Sequence, residues 1–553
     1  MPPLIGETEE EMNETPRVQG VAALKKVDLK VHSIVFMIFC LVAAGAFGIE
    51  EMIPASGPGI TLIMLIVFPF IWALPISNMV AEMGSVLPAE GGVYVWSREA
   101  LGEFWGFQAG WWNTVSIYVT NAIYVALVVG YLGKFVPMSE GQAMIVKVGM
   151  VLVFTIINLL GLREVSWVST ALSIIVLVAF ALVTVVGLVN WNQNPFDPIV
   201  AEDLTPLEGI GGCIAICIWM YCGYECISTL AGEVKNPQRI PKALLIAMPL
   251  IALTYVLPTM AGLASVGQWE DWGTAGDAVV GYSDVFTEFL GPGFGVAFLV
   301  VAILAQCSIF NTYLASGSRG FFVLSDDNLF PKALEKVSKT RGVPYVGIIS
   351  ISAVTMFLVQ YDFTTLVMTE VVFILALYLV MSVTTIVLRK KIPVESRDGC
   401  YVIPGKKFGL YFCTMLPIII SVIALLINGT DYLIAGLLGM ASGPVAYVIF
   451  KRIYGGLTKK DPENYPLNPK TKLAPRDFPR ISIYSLLSGI FAFGGSFFLT
   501  WYEGDWGAEY YLAEYGEGFL SNFDGMIAGL QAGGIAAIVF AVVLFLISRK
   551  VDR

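Results

Sequence analysis

Apolar and polar positions along this chain separate into long blocks instead of alternating residue by residue. Runs of predominantly apolar residues fall at 32–54, 59–86, 103–133, 142–161, 166–190, 209–231, 243–266, 292–317, 343–360, 364–388, 408–428, 432–450, 481–501 and 526–548. About 20 such residues suffice to cross roughly 30 Å of hydrocarbon as a helix. The pattern predicts an all-α membrane protein of about 14 transmembrane helices. A membrane β-barrel would show segments of about 10 residues with strict alternation, and the chain has none. Residues 1–31 form a polar, Glu-rich stretch, which reads as a disordered cytoplasmic tail and not as a cleaved signal peptide.

Two of the runs are interrupted. The first carries Gly45, Gly48, Glu50 and Glu51 between Leu41 and Pro58, where a lipid-facing helix has no use for them. The sixth carries Gly223 and Glu225 between Trp219 and Ser228. A helix broken inside a membrane leaves unpaired backbone groups, tolerated where they line a cavity or meet a ligand. The interrupted runs are five apart, so 32–190 and 209–390 read as two five-helix repeats. An odd number of crossings inverts the second repeat relative to the first. Paired breaks in such halves point to a transporter's midplane site. At the first break, the N–H groups of Ala44, Gly45, Ala46 and Phe47, with Gly48 beside them, are candidates to receive a substrate carboxylate. Carbonyls at the opposite half-helix ends are candidates for an ammonium. Trp219, Cys222 and Gly223 belong to the second break. A carboxylate in the membrane is costly unless paired or protonated, so Glu225 is expected to pair with a substrate cation or carry a coupling proton. The alternative is a structural hydrogen bond to nearby backbone. Glu50 is a candidate gating or coupling group, or else already at the outer end of helix 1.

Composition adds direction to this picture. The 553 residues are 56% hydrophobic and 14% charged, with mean hydropathy +0.75, which excludes a soluble globular protein. All but Lys134 and Lys147 of the 33 Lys and Arg fall on one side of the predicted helices, which by the positive-inside rule makes both termini cytoplasmic. The opposite loops are acidic, a feature that would concentrate cations at the mouth or simply reflect the avoidance of Lys and Arg. Beyond the repeats, 407–453 supplies helices 11 and 12, 454–480 a cytoplasmic linker, and 481–553 helices 13 and 14. Four of the eight cysteines, Cys213, Cys217, Cys222 and Cys226, share one run. Without histidine or paired CxxC spacing they read as packing residues, and no metal or cofactor is expected. The lone histidine, His32, sits at the entry of helix 1.

Three stretches carry a family resemblance: Gly223 to Pro241 (GYECISTLAGEVKNPQRIP), Pro88 to Tyr94 (PAEGGVY), and Ser325 to Pro331 (SDDNLFP) followed by Gly342-Val-Pro344. Over about residues 31–388 the sequence resembles the amino acid-polyamine-organocation (APC) superfamily. That resemblance implies the LeuT-type 5+5 inverted-repeat fold with additional C-terminal helices. Phe47 to Glu51, Phe104 to Gln108 and Ser228 to Val234 look most like the polyamine uptake transporters of plants and protozoa. By resemblance to bacterial exchangers, Trp219 matches an aromatic gate and Glu225 an acidic site residue. Asn121 matches an asparagine contacting the substrate amine, and Tyr313 stands where a second gating Trp is found. Some relatives have a lysine on helix 5 that acts in place of sodium; the spacing puts Trp167 there. Ser308, Asn311 and Thr312 lie near where sodium-coupled relatives bind the ion, and a proton is favoured over sodium as the coupling ion.

The reading is therefore of a non-enzymatic, multi-pass plasma-membrane transporter of amino acids or polyamines, with cationic amines favoured and proton-coupled symport or exchange by alternating access. The alternatives are a neutral amino acid transporter and a non-transporting amino acid sensor on the same fold. The expected partners are a small-molecule substrate and the lipid bilayer, without nucleic acid; the sequence does not fix an oligomeric state.

Overall fold

A computed structural model describes residues 28–551 apart from Ala44, Glu90, Phe135, Asp203, residues 274–279, Glu517 and Phe519. The expected tail up to residue 27 and the candidate Ala44 thus lie outside the described residues. The regular structure of the described residues is helical, with only isolated bridge positions besides, among them the Trp272–Val280 pair. In chain order, α1 consists of a first half Val31–Val42 and a short second half, Ile49–Glu51 running into Met52–Ser56. Then follow α2 (Pro58–Val86), α3 (Glu103–Gly133), α4 (Glu140–Leu160) and α5 (Leu162–Val189). The sixth, α6, is again in two halves, Pro206–Met220 and the 3-10 stretch Tyr224–Glu233. The series continues with α7 (Ile240–Leu263), α8 (Pro292–Asp326), α9 (Tyr345–Leu358) and α10 (Phe363–Lys391). It ends with α11 (Lys406–Ile427), α12 (Thr430–Tyr454), α13 (Asp477–Tyr502) and α14 (Phe523–Val551).

Among the described residues, 12 helices are long and apolar enough to cross a membrane. The two predicted spans outside that set are the broken α1 and the 14-residue α9. Helix 8 runs well past its predicted end because Arg319 lies inside it, buried, with its guanidinium on the Ala315 carbonyl and the Ser318 hydroxyl. A short helix, Val93–Leu101, precedes α3 and was not visible as an apolar run.

Local chemistry explains the irregular points. Pro69 has no N–H to give the Leu65 carbonyl one turn back, and α2 loosens into a π turn over Pro69–Ala73. The Tyr221 hydroxyl takes the freed Leu65 carbonyl at 3.0 Å and so ties the second break to α2. At one end of the bundle the Lys and Arg side chains are built into buried ion pairs. Glu82 holds Arg389 and Arg397, Glu103 holds Lys451 at 2.6 Å, and Asp327 holds Arg98 at 2.5 Å and Lys460 at 2.9 Å. Some charges counted for topology therefore also close the bundle.

Helix α3 packs along both α8 and α10, and these helices, with the breaks of α1 and α6, form the centre of the molecule. The pair α13 and α14 stands beside α11 and α12. It crosses closely at Gly489 and Gly534, with the Ser482 and Ser485 hydroxyls on the carbonyls of Ala541 and Ala537. Small residues that let backbones approach, and hydroxyls bonding across, are the usual adhesive between helices in lipid.

Candidate substrate-binding site

Both breaks are built the same way. Gly48 and Gly223 adopt left-handed backbone, φ +93° and +98°, and each is followed two residues later by a glutamate in the first turn of the next half-helix. The Glu50 carboxylate accepts the Gly48 N–H at 2.8 Å, whereas the Gly223 N–H donates to the Tyr378 hydroxyl at 3.4 Å, which itself donates to Glu225. A positive φ there favours glycine, and space requires it at Gly223. A Cβ at Gly223 would strike the Leu41 carbonyl and the Tyr313 hydroxyl. The Gly-x-Glu device, at Gly48-Ile-Glu50 and Gly223-Tyr-Glu225, is the clearest sign of the repeat.

The first halves of α1 and α6 end with carbonyls that have lost their helical partners. Tyr255 of α7 sits between them, its hydroxyl 3.1 Å from the Val42 oxygen and 2.8 Å from the Met220 oxygen. One side chain thus joins the two breaks.

Around Glu225 the site is aromatic. Trp219 packs against Tyr124 of α3, ring centroids 5.9 Å apart, and against Phe363 of α10 at 5.5 Å. Tyr124 in turn meets Tyr313 of α8 at 5.6 Å. The Tyr378 hydroxyl donates to Glu225 Oε2 at 2.7 Å, and Cys226 Sγ is 3.5 Å from Oε1. Trp219, Glu225 and Tyr313 are all buried, as are Tyr124 and Tyr378, so the cluster is closed off from solvent; the chamber is the space its rings enclose once they part. The Trp219 indole N–H has no partner among the described residues.

The structure brings Trp219, Cys222, Gly223, Glu225 and Tyr313 together, with Gly48 facing the rings of Trp219 and Phe363. Other candidates stand apart. Phe47 turns its ring into a cluster with Tyr131, Phe180 and Phe298. Among the described residues the N–H groups of Gly45, Ala46 and Phe47 have no hydrogen-bond partner. Glu50 is buried inside the break, not at an outer helix end, and the Tyr131 hydroxyl lies 3.3 Å from it. Asn121 is fully buried one residue from Thr120, but its amide donates back to the Ile117 carbonyl at 2.8 Å.

Trp167 is 74% exposed and faces away from the protein interior. The polar positions of α5 that meet α1 and α8 are Ser169, 2.7 Å from Thr312, and Ser173, 3.0 Å from Cys40, which in turn lies 3.4 Å from Ser308. Asn311 bonds Asn158 instead. Among the described residues no three His, Cys, Asp or Glu side chains converge as metal ligands.

Sequence reasoning missed Tyr124, Tyr255, Tyr378 and above all Glu370 of α10. Glu370 is buried, with the Thr120 hydroxyl on one oxygen. It was legible by the rule that singled out Glu225, being a lone carboxylate in the apolar run 364–388.

With this geometry in place, comparison with known proteins is decisive for the family. The profile of the amino acid permease family matches residues 29–450. The chain belongs to the amino acid permease family. It is 30% identical to a probable polyamine transporter of Arabidopsis thaliana, over 75% of this chain and 82% of the relative. It is 31% identical to the polyamine transporter PUT1 of Oryza sativa subsp. japonica, over 61% and 62%, and 28% identical to the polyamine transporter RMV1 of Arabidopsis thaliana, over 75% and 83%. Among solved structures, MhsT crystallised with L-phenylalanine superposes with a TM-score of 0.57 at 12% identity, covering 73% of this chain and 99% of MhsT. This permease is therefore a LeuT-type α-helical secondary transporter whose substrate is a small molecule. Helices α13 and α14 lie beyond the family match.

Proposed function

We propose that this permease carries organic cations of the polyamine class across the plasma membrane, with both termini cytoplasmic, in symport or exchange with protons. The observation that carries this reading is Glu225: a buried carboxylate in an aromatic chamber, bonded to a tyrosine and a thiol and, among the described residues, to no Lys or Arg. A carboxylate in such a place is stabilised by a cation delivered to it. Trp219, Tyr313 and Tyr124 offer π faces to an ammonium and its alkyl stem. The polyamine transporters among its relatives support the same substrate class.

A carboxylate-bearing substrate is less favoured because the acceptor expected for it is partly in use: Gly48 already gives its N–H to Glu50. Backbone at Gly45, Ala46 and Phe47 is what remains for such a group. Proton coupling follows from the same side chain, since a carboxylate neutralised by either a proton or an ammonium exchanges one for the other. Trp219 and Tyr313 act as the covers that close over the ligand, and Glu50 holds the first break in register.

The test is Glu225→Gln in proteoliposomes. Uptake of a labelled polyamine is expected to fall more than about tenfold, the worth of one charge-assisted contact, and what remains is expected to lose its dependence on a pH gradient. Unchanged KM and unchanged pH dependence would remove Glu225 from both roles.

A further inference from the structure

The geometry points to Glu370 as a second cation-recognition residue, so that the chamber takes a substrate bearing two ammonium groups on one flexible chain. This rests on the organic-cation reading above and makes it more specific.

The buried carboxylates of this protein are held in different ways: Asp326 pairs with Lys460, while Glu50, Asp431 and Glu503 have no ion pair among the described residues but carry hydrogen bonds on both oxygens. Glu82, Glu103, Asp327 and Asp477 each hold a Lys or Arg of the protein itself. Glu225 and Glu370 hold none among the described residues, although both are buried within the helix bundle. Glu370 is only 1% exposed, and its Oε2 has no hydrogen-bond partner among the described residues. A buried carboxylate half satisfied and without a counter-charge is costly. Elsewhere the protein meets that cost with basic side chains, as at Glu82, Glu103 and Asp327, or with hydrogen bonds on both oxygens, as at Glu503; at Glu370 it does neither.

Its position places it in the chamber. On α10, Phe363, Glu370 and Tyr378 are seven and eight residues apart and so share one helix face. Phe363 packs on Trp219 and Tyr378 bonds Glu225. Glu370 stands between them, about 10 Å along the axis from Phe363 and about 12 Å from Tyr378 at 1.5 Å per residue. It is close enough to interact electrostatically with Glu225, Tyr124, Cys222 and Tyr313, the residues that enclose the site. Two carboxylates set apart beside the same group of aromatic rings match two ammonium groups separated by an alkyl stem. The stem lies on the rings, and the charges reach the ends.

Direct binding to the purified, full-length transporter tests this. The probes are an aliphatic α,ω-diamine and the monoamine of equal carbon number, titrated against wild type, Glu370→Gln and Glu370→Asp, with a pH-gradient uptake assay alongside. Wild type is expected to prefer the diamine by more than about tenfold. Glu370→Gln is expected to abolish that preference while leaving monoamine affinity within about twofold, and Glu370→Asp to retain part of it. If Glu370→Gln cannot be purified folded, full loss of the preference in Glu370→Asp or its partial retention supports the assignment, and an undiminished preference overturns it. A diamine preference unchanged in Glu370→Gln overturns the assignment and leaves the organic-cation reading standing. Loss of pH-gradient dependence with the preference intact also overturns it, marking Glu370 as a proton carrier instead. Wild type that binds no amine overturns the organic-cation reading itself, and the assignment with it.

Discussion

A methyl group added at Gly223 would enter space held by the Leu41 carbonyl and the Tyr313 hydroxyl, on backbone already at φ +98°. Left-handed backbone costs a non-glycine residue about 1–2 kcal/mol, and the collision adds to that at the point where α1, α6 and α8 meet. Gly223→Ala is expected to fold yet lose more than about 90% of uptake, read in proteoliposomes, with a thermal melt confirming the fold. Tyr255 makes a separate prediction. Its hydroxyl serves the orphan carbonyls of both breaks, so Tyr255→Phe leaves them buried and unmet, at about 1–3 kcal/mol. A lowered melting temperature checks this; an unchanged one would mean that the breaks are held by other contacts. Neither tyrosine role was legible in the sequence. Tyr255 and Tyr378 look like packing residues at ordinary helical spacing, and what distinguishes them is a partner far away in the chain, as with Tyr378 and Glu225, 153 positions apart.

At the scale of elements the sequence was more readable. Apolar runs of membrane length gave nearly every span, and glycine beside glutamate gave both breaks, because each is a local signature of what the backbone must do. Glu370 went unread because no glycine marks its place on an unbroken α10. The role of α13 and α14 was not readable either. Their crossing at Gly489 and Gly534 is far from the chamber in sequence and in contacts, so Gly489→Leu is expected to lower stability by about 1–3 kcal/mol with substrate KM unchanged. The C-terminal end of α13 supplies a pH prediction. Burial, aided by the neighbouring Asp431 charge, pushes the Glu503 carboxyl up to about 7, against hydrogen bonds from Thr430 and Tyr511 that favour its ionised form. A carboxyl raised in the folded state contributes stability that is complete below its unfolded value of about 4.5 and is lost as pH rises through about 7. The melting temperature of wild type is therefore expected to fall relative to Glu503→Gln as pH goes from 5 to 8. A parallel pair of curves would contradict the shift.

Across the whole molecule, charge is sorted by purpose. Basic side chains are spent on closing one end of the bundle: Lys451 is fully buried on Glu103, and Arg98 and Lys460 converge on Asp327. The centre keeps Glu225 and Glu370 without such partners among the described residues, enclosed by aromatic rings. That division is what a carrier of cations needs, since an internal lysine there would occupy the place of the substrate. It also makes the central claim measurable in one experiment on the wild-type protein. Proteoliposomes holding the purified transporter are given an inward-directed pH gradient and offered a labelled polyamine, a labelled cationic amino acid and a labelled neutral amino acid. The account predicts gradient-driven accumulation of the polyamine, inhibited by unlabelled polyamine and little affected by the neutral amino acid. Accumulation of the neutral amino acid without the polyamine would contradict it.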